Sequence, residues 1–183
     1  MTDERGNIEM IRRSDMSLFT IISEILGNLS GDTIRLNYDE NRLFVFVNDG
    51  GLTKDDKIAV CKKSCSGNNK GTAGLNGLGI RAAIDRICSN DNVFLRTMNK
   101  DGQKEVMDLK FQKPEPSWKT SKWRDFSEYD NEIYNNFSKN NIVGGTLWDI
   151  PILKDNPKLG SNWFIERESD IKKMCALFFN KRI

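Results

Sequence analysis

The sequence predicts an α/β fold, in the α+β sense, built as a two-layer sandwich of a mixed, mainly antiparallel sheet with helices on one face. Two hairpins, at 33–48 and 92–111, are indicated by alternating apolar residues on either side of a turn. Two segments, 14–29 and 165–180, have apolar residues at helical spacing. The length of 183 residues suits one domain with a substantial core, so we expect a single domain over 1–183.

The first predicted helix, Ser14–Leu29, carries two polar side chains within a largely apolar segment. Glu24 and Asn28 are four residues apart, so they lie one turn from each other on one side of the helix. An acid and an amide in such a segment are costly unless they face a ligand, a metal or water. The pair therefore indicates either a polar site or simple exposure to solvent.

The first predicted hairpin joins Thr33–Tyr38 to Arg42–Asn48, and Lys54–Lys63 follows as a short polar helix. The second strand of the hairpin is apolar on both faces, which predicts a central place in the sheet. It ends in the turn Asn48–Gly51, with the sequence NDGG. An aspartate at the end of a buried strand, beside two glycines, is either a turn residue or an acceptor for a ligand.

The segment Asn69–Ala83 is rich in glycine and leads into a helix predicted to reach about Cys88. Its later glycines have the spacing G-x-x-G-x-G, which matches neither the Walker loop nor the dinucleotide-binding motif. A glycine-rich loop before a helix offers unpaired N–H groups to a phosphate, but it is also typical of a flexible surface loop. The loop alone does not decide between these two interpretations.

The remainder predicts a second hairpin, a helix, a late strand and a final helix. The hairpin joins Asn92–Met98 to Gln103–Phe111, and the weakly periodic segment Phe126–Phe137 is predicted as a helix. Gly144–Pro151 is predicted as a strand ended by proline. Ile165–Asn180 is predicted as a helix with one apolar face.

Composition excludes several classes of function. The chain contains no histidine, which excludes serine–histidine–aspartate and cysteine–histidine mechanisms and histidine ligands to a metal. Its four cysteines lack the partners of a zinc site, and the net charge of +2 predicts no strong field for nucleic acid. The sequence begins with no signal peptide and contains no apolar run of membrane-spanning length. We therefore expect a cytoplasmic or nuclear protein with reduced cysteines.

Four features occur in one order: E-x-x-x-N on the first helix, D-G-G after a strand, the glycine-rich loop, and G-T in the late strand. In this order the whole chain resembles the GHKL ATPase superfamily, which has the Bergerat ATP-binding fold. GLNGLGIRAA and GGTLWDIPI resemble segments of the gyrase and type II DNA topoisomerase branch. The KDD after GGLT is as similar to the chaperone and Morc branches, which stay as alternatives.

The resemblance implies a role for each matching residue. Glu24 matches the general base that activates water for attack on the γ-phosphate of ATP, and Asn28 matches a ligand of Mg²⁺. Asp49 matches the acceptor of the adenine amino group, which Thr146 supports through a water molecule, and Gly51 matches the glycine packed against the base. The residues that match the lid and phosphate loop are Gly74, Asn76, Gly77, Leu78 and Gly79.

One departure from the family concerns the adenine-binding motif. The family has D-x-G-x-G, whereas the turn Asn48–Gly51 is one residue shorter. Either Asp49 or Asn48 therefore meets the adenine, and the acid is favoured because a charged acceptor makes the stronger hydrogen bond.

The resemblance implies an ATP-binding and magnesium-dependent ATP-hydrolysing domain that lacks the transducer domain of the topoisomerases. ATP is expected to close the lid and to promote a homodimer, and transducer or DNA-handling domains or subunits are the implied partners. The alternatives are a nucleotide-binding or interaction module without catalysis, and a chaperone-like or Morc-like ATPase.

Overall fold

A computed structural model describes the helices and strands of this chain and the turns that join several of them. The described residues are 18–27, 29, 31, 33–39, 42–61, 83–84, 87–88, 92–112, 117–139, 144–151 and 161–178. The helices are α1 (Leu18–Gly27), α2 (Lys54–Cys61), α3 (Glu128–Ser138) and α4 (Ser161–Phe178). The strands are β1 (Ile34–Asp39), β2 (Arg42–Val47), β3 (Val93–Met98), β4 (Lys104–Gln112), β5 (Ser117–Thr120), β6 (Arg124–Asp125) and β7 (Gly145–Pro151).

The strands form one sheet in the order β1-β2-β7-β3-β4-β5, with β6 also paired to β4. Every described strand pair is antiparallel. The late strand β7 lies between the two hairpins, so that Thr146 is the direct neighbour of both Val47 and Thr97. This insertion brings the end of the first hairpin beside residues that follow it by about half the chain.

The first face of the sheet is covered by helices, as the sequence predicts. The apolar stripe of α1 is buried against it, and α4 contacts both α1 and β1. Ala83, Ile84 and Ile87, from the helix predicted after the glycine-rich segment, are helical and belong to the same core. The main members of this core are Ile22, Ile25, Leu26, Val45, Val47, Ile84, Ile87, Leu95, Trp148 and Ile150.

The second face carries a smaller aromatic core beneath α3, a cover that the prediction of helices on one face does not include. Phe44 stacks on Phe137 with ring centroids 4.8 Å apart, and Phe46 meets Tyr134 edge-on at 5.7 Å. The physical reason lies in β2, whose side chains alternate between two apolar faces and would otherwise expose both phenylalanines to water. The fold is therefore an α+β sandwich with one helix added on the opposite face of the sheet.

The predicted helices correspond to observed helices, and residues 14–17, the predicted start of the first one, lie outside the described residues. The first predicted helix corresponds to α1, and the final one corresponds to α4, which begins at Ser161 rather than Ile165. A capping box between Ser127 and Asp130 begins α3, which explains how so polar a segment forms a helix. None of the helices in the described ranges is long and apolar enough to span a membrane.

Candidate functional site

The carboxylate of Asp49, just after β2, is hydrogen-bonded to a residue of the late strand β7. The hydroxyl of Thr146 donates to Oδ1 of Asp49 at 3.0 Å, although the two residues are 97 positions apart. The backbone N–H of Gly51 donates to the same oxygen at 2.9 Å. The contact follows from the register of the sheet, because Thr146 lies opposite Val47, the last residue of β2. The two residues that the resemblance assigns to adenine binding are thus in direct contact.

The second oxygen of Asp49, Oδ2, is not used by Thr146 or Gly51. No hydrogen bond joins its Oδ2 to any other residue in the described part of the chain. The side chain is half-buried, and burial raises its pKa above the usual 3.8 even though the hydrogen bonds from Thr146 and Gly51 lower it. An acid with one oxygen fixed and the other open can accept a hydrogen bond from the N–H of a ligand.

The turn that presents Asp49 is held against the neighbouring strands by backbone packing. Gly51 has a φ of 81°, and a Cβ placed on it would lie 2.1 Å from the carbonyl oxygen of Met98. Gly144, with a φ of 87°, approaches the carbonyl oxygen of Gly50 in the same way, at 2.7 Å from a Cβ. Only glycine combines these dihedral angles with so close an approach of two backbones. The turn beside Asp49 is therefore packed against its neighbours through main-chain atoms.

Sequence analysis did not single out Thr97, which is a further part of the site. Its side chain is buried, with 1% of the residue exposed. The hydroxyl oxygen accepts a hydrogen bond from the backbone N–H of Leu52 at 2.8 Å, so it holds the residue that follows the glycine turn. The only signal in the sequence is a threonine beside Arg96 in a strand whose other residues are apolar, and the register opposite Thr146 follows from long-range pairing.

Asn48 and Asp49 have different surroundings in the structure. Asn48 is exposed, and its backbone N–H donates to the carbonyl of Thr33 at 3.1 Å. Asp49 instead directs its carboxylate to Thr146 and Gly51. Of these two residues, Asp49 is therefore the one whose side chain is hydrogen-bonded to the end of the sheet.

The predicted catalytic residue Glu24 lies on α1, the helix that covers the same face of the sheet as Thr146. Its side chain is half-buried, while Ile22 and Ile25 beside it pack in the core. Asn28, its predicted partner on the helix, lies outside the described residues. So do all five residues of the predicted lid and phosphate loop, which are Gly74, Asn76, Gly77, Leu78 and Gly79.

A metal site depends on residues beyond those described. Within the described ranges, no group of three or more aspartate, glutamate or cysteine side chains could hold a metal ion. The ligand expected for Mg²⁺ was a single amide oxygen, from Asn28, and a nucleotide-bound magnesium takes further oxygens from phosphate and water. The chemistry of that donor suits Mg²⁺, but its position is outside the described residues.

A second polar network lies on the opposite face and joins α3 to the sheet. Arg96 is buried and donates to Asp130 at 2.9 Å and to Asp149 at 2.9 Å. Arg42 pairs with the other oxygen of Asp149, and Arg124 donates to the other oxygen of Asp130 at 2.7 Å. Burial would raise the pKa of Asp130, but the hydrogen bonds from its neighbours outweigh that effect and lower the pKa to about 2. The network has the properties of a structural link.

The chain matches no protein-family model and no curated protein.

Proposed function

We propose that this chain is an ATP-binding domain of the GHKL type that hydrolyses ATP with Mg²⁺. The observation that carries the proposal is the hydrogen bond from Thr146 to Oδ1 of Asp49, while no other described residue donates to Oδ2. The sequence resemblance expects these same two residues at the adenine subsite, and nothing in their spacing along the chain requires them to meet.

The chemistry of the pair suits the base of ATP. The adenine amino group donates hydrogen bonds, and Oδ2 of Asp49 accepts them. Guanine presents a carbonyl oxygen at the same place, which would face the carboxylate without a proton between them. A site built around one polar contact rejects a base that lacks it, because a half-buried acid is then left unpaired.

The proposed hydrolysis uses Glu24 on α1, Asn28 just after it in the sequence, and the glycine-rich segment. Glu24 acts as the base that takes a proton from the attacking water, and Asn28 contributes an oxygen to Mg²⁺. When bound, Mg²⁺ supplies charge stabilisation to the transferring phosphoryl group. The backbone N–H groups of the loop at Gly74–Gly79 would bind the phosphates. The half-buried position of Glu24 on the helix over the first face is compatible with this role.

We further propose that the domain belongs to an assembly of the gyrase and type II topoisomerase kind. Nucleotide binding would order the lid and bring two copies together, and other domains or subunits would use that motion on DNA. The near-neutral net charge of this chain assigns the contact with DNA to those other parts.

Binding is tested by titration calorimetry with ADP and Mg²⁺ on three proteins: wild type, Asp49→Asn and Asn48→Ala. In Asp49→Asn the amide oxygen keeps the bonds to Thr146 and Gly51, so the amide NH₂ faces the adenine amino group and two donors meet. We expect about tenfold to hundredfold weaker binding, from the loss of a charge-assisted hydrogen bond. Asn48→Ala, one residue away and exposed, is the matched control and should bind like wild type.

Hydrolysis is tested separately by a coupled ATPase assay. Glu24→Ala should reduce turnover while ADP binding stays within about twofold of wild type. The reason is that the Glu24 carboxylate acts on the attacking water and does not contact the adenine or the ribose. Equal turnover by wild type and Glu24→Ala would remove Glu24 from the catalytic role. If the wild type binds ADP but hydrolyses no ATP, the domain is a nucleotide-binding module without catalysis.

A further inference from the structure

Thr97 holds the far end of the turn that presents Asp49. Its hydroxyl oxygen accepts from the N–H of Leu52 at 2.8 Å and lies 3.4 Å from the carbonyl oxygen of Gly145. We infer that Thr97 is a positioning residue for base selectivity, which acts through the turn and not by touching the nucleotide. This inference depends on the proposed adenine site.

The contacts form a short chain from Thr97 to the open oxygen. Leu52 follows Gly51 directly, and the N–H of Gly51 binds Oδ1 of Asp49 at 2.9 Å. Thr97 and Thr146 are direct neighbours on adjacent strands. Thr146 therefore holds the carboxylate of Asp49, and Thr97 holds Leu52, the residue after the turn. Both threonines lie on central strands of the sheet.

Besides its close backbone packing against Met98, the turn has few hydrogen bonds to neighbouring strands within the described residues. Gly50 and Gly51 have no side chains that could anchor it, and both adopt positive φ angles of 79° and 81°. A turn with two such glycines has a large conformational freedom unless its polar groups are paired. The bond from Leu52 to Thr97 is the hydrogen bond of the described structure that ties this exit to β3.

Because Thr97 is buried, the presence of a hydroxyl there indicates a hydrogen-bonding role. A valine has nearly the same shape and would suit the interior of a strand, whereas a buried hydroxyl is costly unless it is paired. Here the hydroxyl can use both its acceptor and its donor, toward Leu52 and Gly145. Thr97→Val would keep the packing and leave the Leu52 N–H without its acceptor.

The expected consequence is specific to one part of the ligand. If the turn is loosened, Oδ2 of Asp49 loses its fixed place, and a hydrogen bond from the base amino group becomes weaker. Contacts to ribose and phosphates do not depend on that oxygen. The affinity for a ligand that lacks the amino group should therefore change little.

The test compares ADP with purine riboside diphosphate, which differs from ADP only by the missing 6-amino group. Calorimetry with Mg²⁺ gives both dissociation constants for wild type, Thr97→Val and Thr97→Ser. We expect wild type to prefer ADP by about tenfold or more, Thr97→Val to lose most of that preference, and Thr97→Ser to keep it because its hydroxyl remains.

The failures of the two proposals are distinguishable. If wild type prefers ADP and Thr97→Val keeps the same preference, or weakens both ligands equally, Thr97 has no role in selectivity while the adenine site stands. If wild type binds neither ligand, the adenine site itself is wrong.

A second measurement serves if Thr97→Val does not fold. Amide hydrogen exchange of Leu52 is then followed in wild type and in Thr97→Ser, with and without ADP. The proposal requires that this amide is protected in both proteins and that ADP slows its exchange further, since the ligand fixes the turn. Exchange of Leu52 that saturating ADP leaves unchanged would overturn it.

Discussion

Two sets of polar side chains lie at β7, one around Asp149 and one around Thr146 and Asp49, on opposite faces of the sheet. They differ in whether described residues donate hydrogen bonds to both oxygens of the carboxylate. On the second face, Asp149 and Asp130 have a partner for each oxygen, supplied by three arginines and a serine. On the first face, the two described neighbours that donate to Asp49, Thr146 and Gly51, both bind Oδ1. The comparison shows how one strand can contribute both to a structural link and to a candidate binding site.

The same contrast explains the opposite directions of two pKa shifts. Burial raises the pKa of Asp49, because hydrogen bonds from neutral donors compensate only part of the cost of removing a charge from water. Asp130 is also buried, but hydrogen bonds that include charged guanidinium groups lower its pKa to about 2. An ion-paired acid contributes to stability, whereas an acid with an open oxygen has its charge available for a ligand.

The largest effect should come from removing Arg96 from its network with Asp130 and Asp149. Arg96→Met removes a buried guanidinium shared by two acids, and we expect the free energy of unfolding to fall by about 3–5 kcal/mol. Chemical denaturation measures this loss. Arg167→Met is the control, because its pair with Asp170 is solvent-exposed and should contribute less than about 1 kcal/mol. Equal losses in the two variants would contradict a structural role for the network.

The second effect concerns the backbone wall of the open site. Gly51→Ala introduces a Cβ at a positive φ of 81° and 2.1 Å from the carbonyl oxygen of Met98, so the turn must move. We expect a loss of about 2–3 kcal/mol of stability and the loss of detectable ADP binding by calorimetry.

Gly102→Ala is a closely matched control for that substitution. Gly102 has the same φ of 81°, but a Cβ there meets nothing within 4 Å. It should cost only the conformational strain, about 1–2 kcal/mol, and leave ADP binding unchanged. If Gly51→Ala binds ADP as well as Gly102→Ala, close packing of the turn is not needed for the site.

The smallest effect is a difference in pH dependence between the two acids. The folded-state pKa of Asp130 is about 2 against an ordinary 3.8, so its contribution of about 2 kcal/mol is lost as the pH falls from about 4 to 2. Asp49 has the opposite sign, since a raised folded-state pKa makes the folded state bind the proton more tightly. Its contribution to stability decreases as the pH rises above 3.8.

Unfolding free energies measured against pH separate these two contributions. Asp130→Asn should flatten the acid limb of the curve relative to wild type, and Asp49→Asn should remove a decrease on the side above pH 3.8. Curves of identical shape for wild type and both variants would contradict the contrast between the closed and the open carboxylates.

Much of the fold follows from local patterns in the sequence. The stripe of α1, the two hairpins and the two-sided apolar strand β2 each reflect a periodicity that is visible without long-range information. A helix was predicted over Phe126–Phe137, but not the packing of α3 on the second face of the sheet, because its sequence is polar and its buried residues, such as Tyr134, are few. The alternation in β2 implied that something must cover Phe44 and Phe46, but not which segment.

The candidate site was only partly predictable, for a related reason. Asp49 and Thr146 were selected because they match family motifs, and their contact depends on β7 entering the sheet beside β2. Thr97 belongs to no motif, and its role depends on a register that local propensity does not determine. The choice of Asp49 over Asn48 rested on chemistry alone, and the structure adds the direction of the side chain.

The most direct test of the proposed adenine site is a crystal structure of the chain with ADP and Mg²⁺. We expect the 6-amino group of adenine at about 3 Å from Oδ2 of Asp49, with Oδ1 still bound to Thr146 and Gly51. An adenine bound elsewhere, or one whose amino group meets Asn48 while Asp49 makes no contact with it, would contradict the proposal.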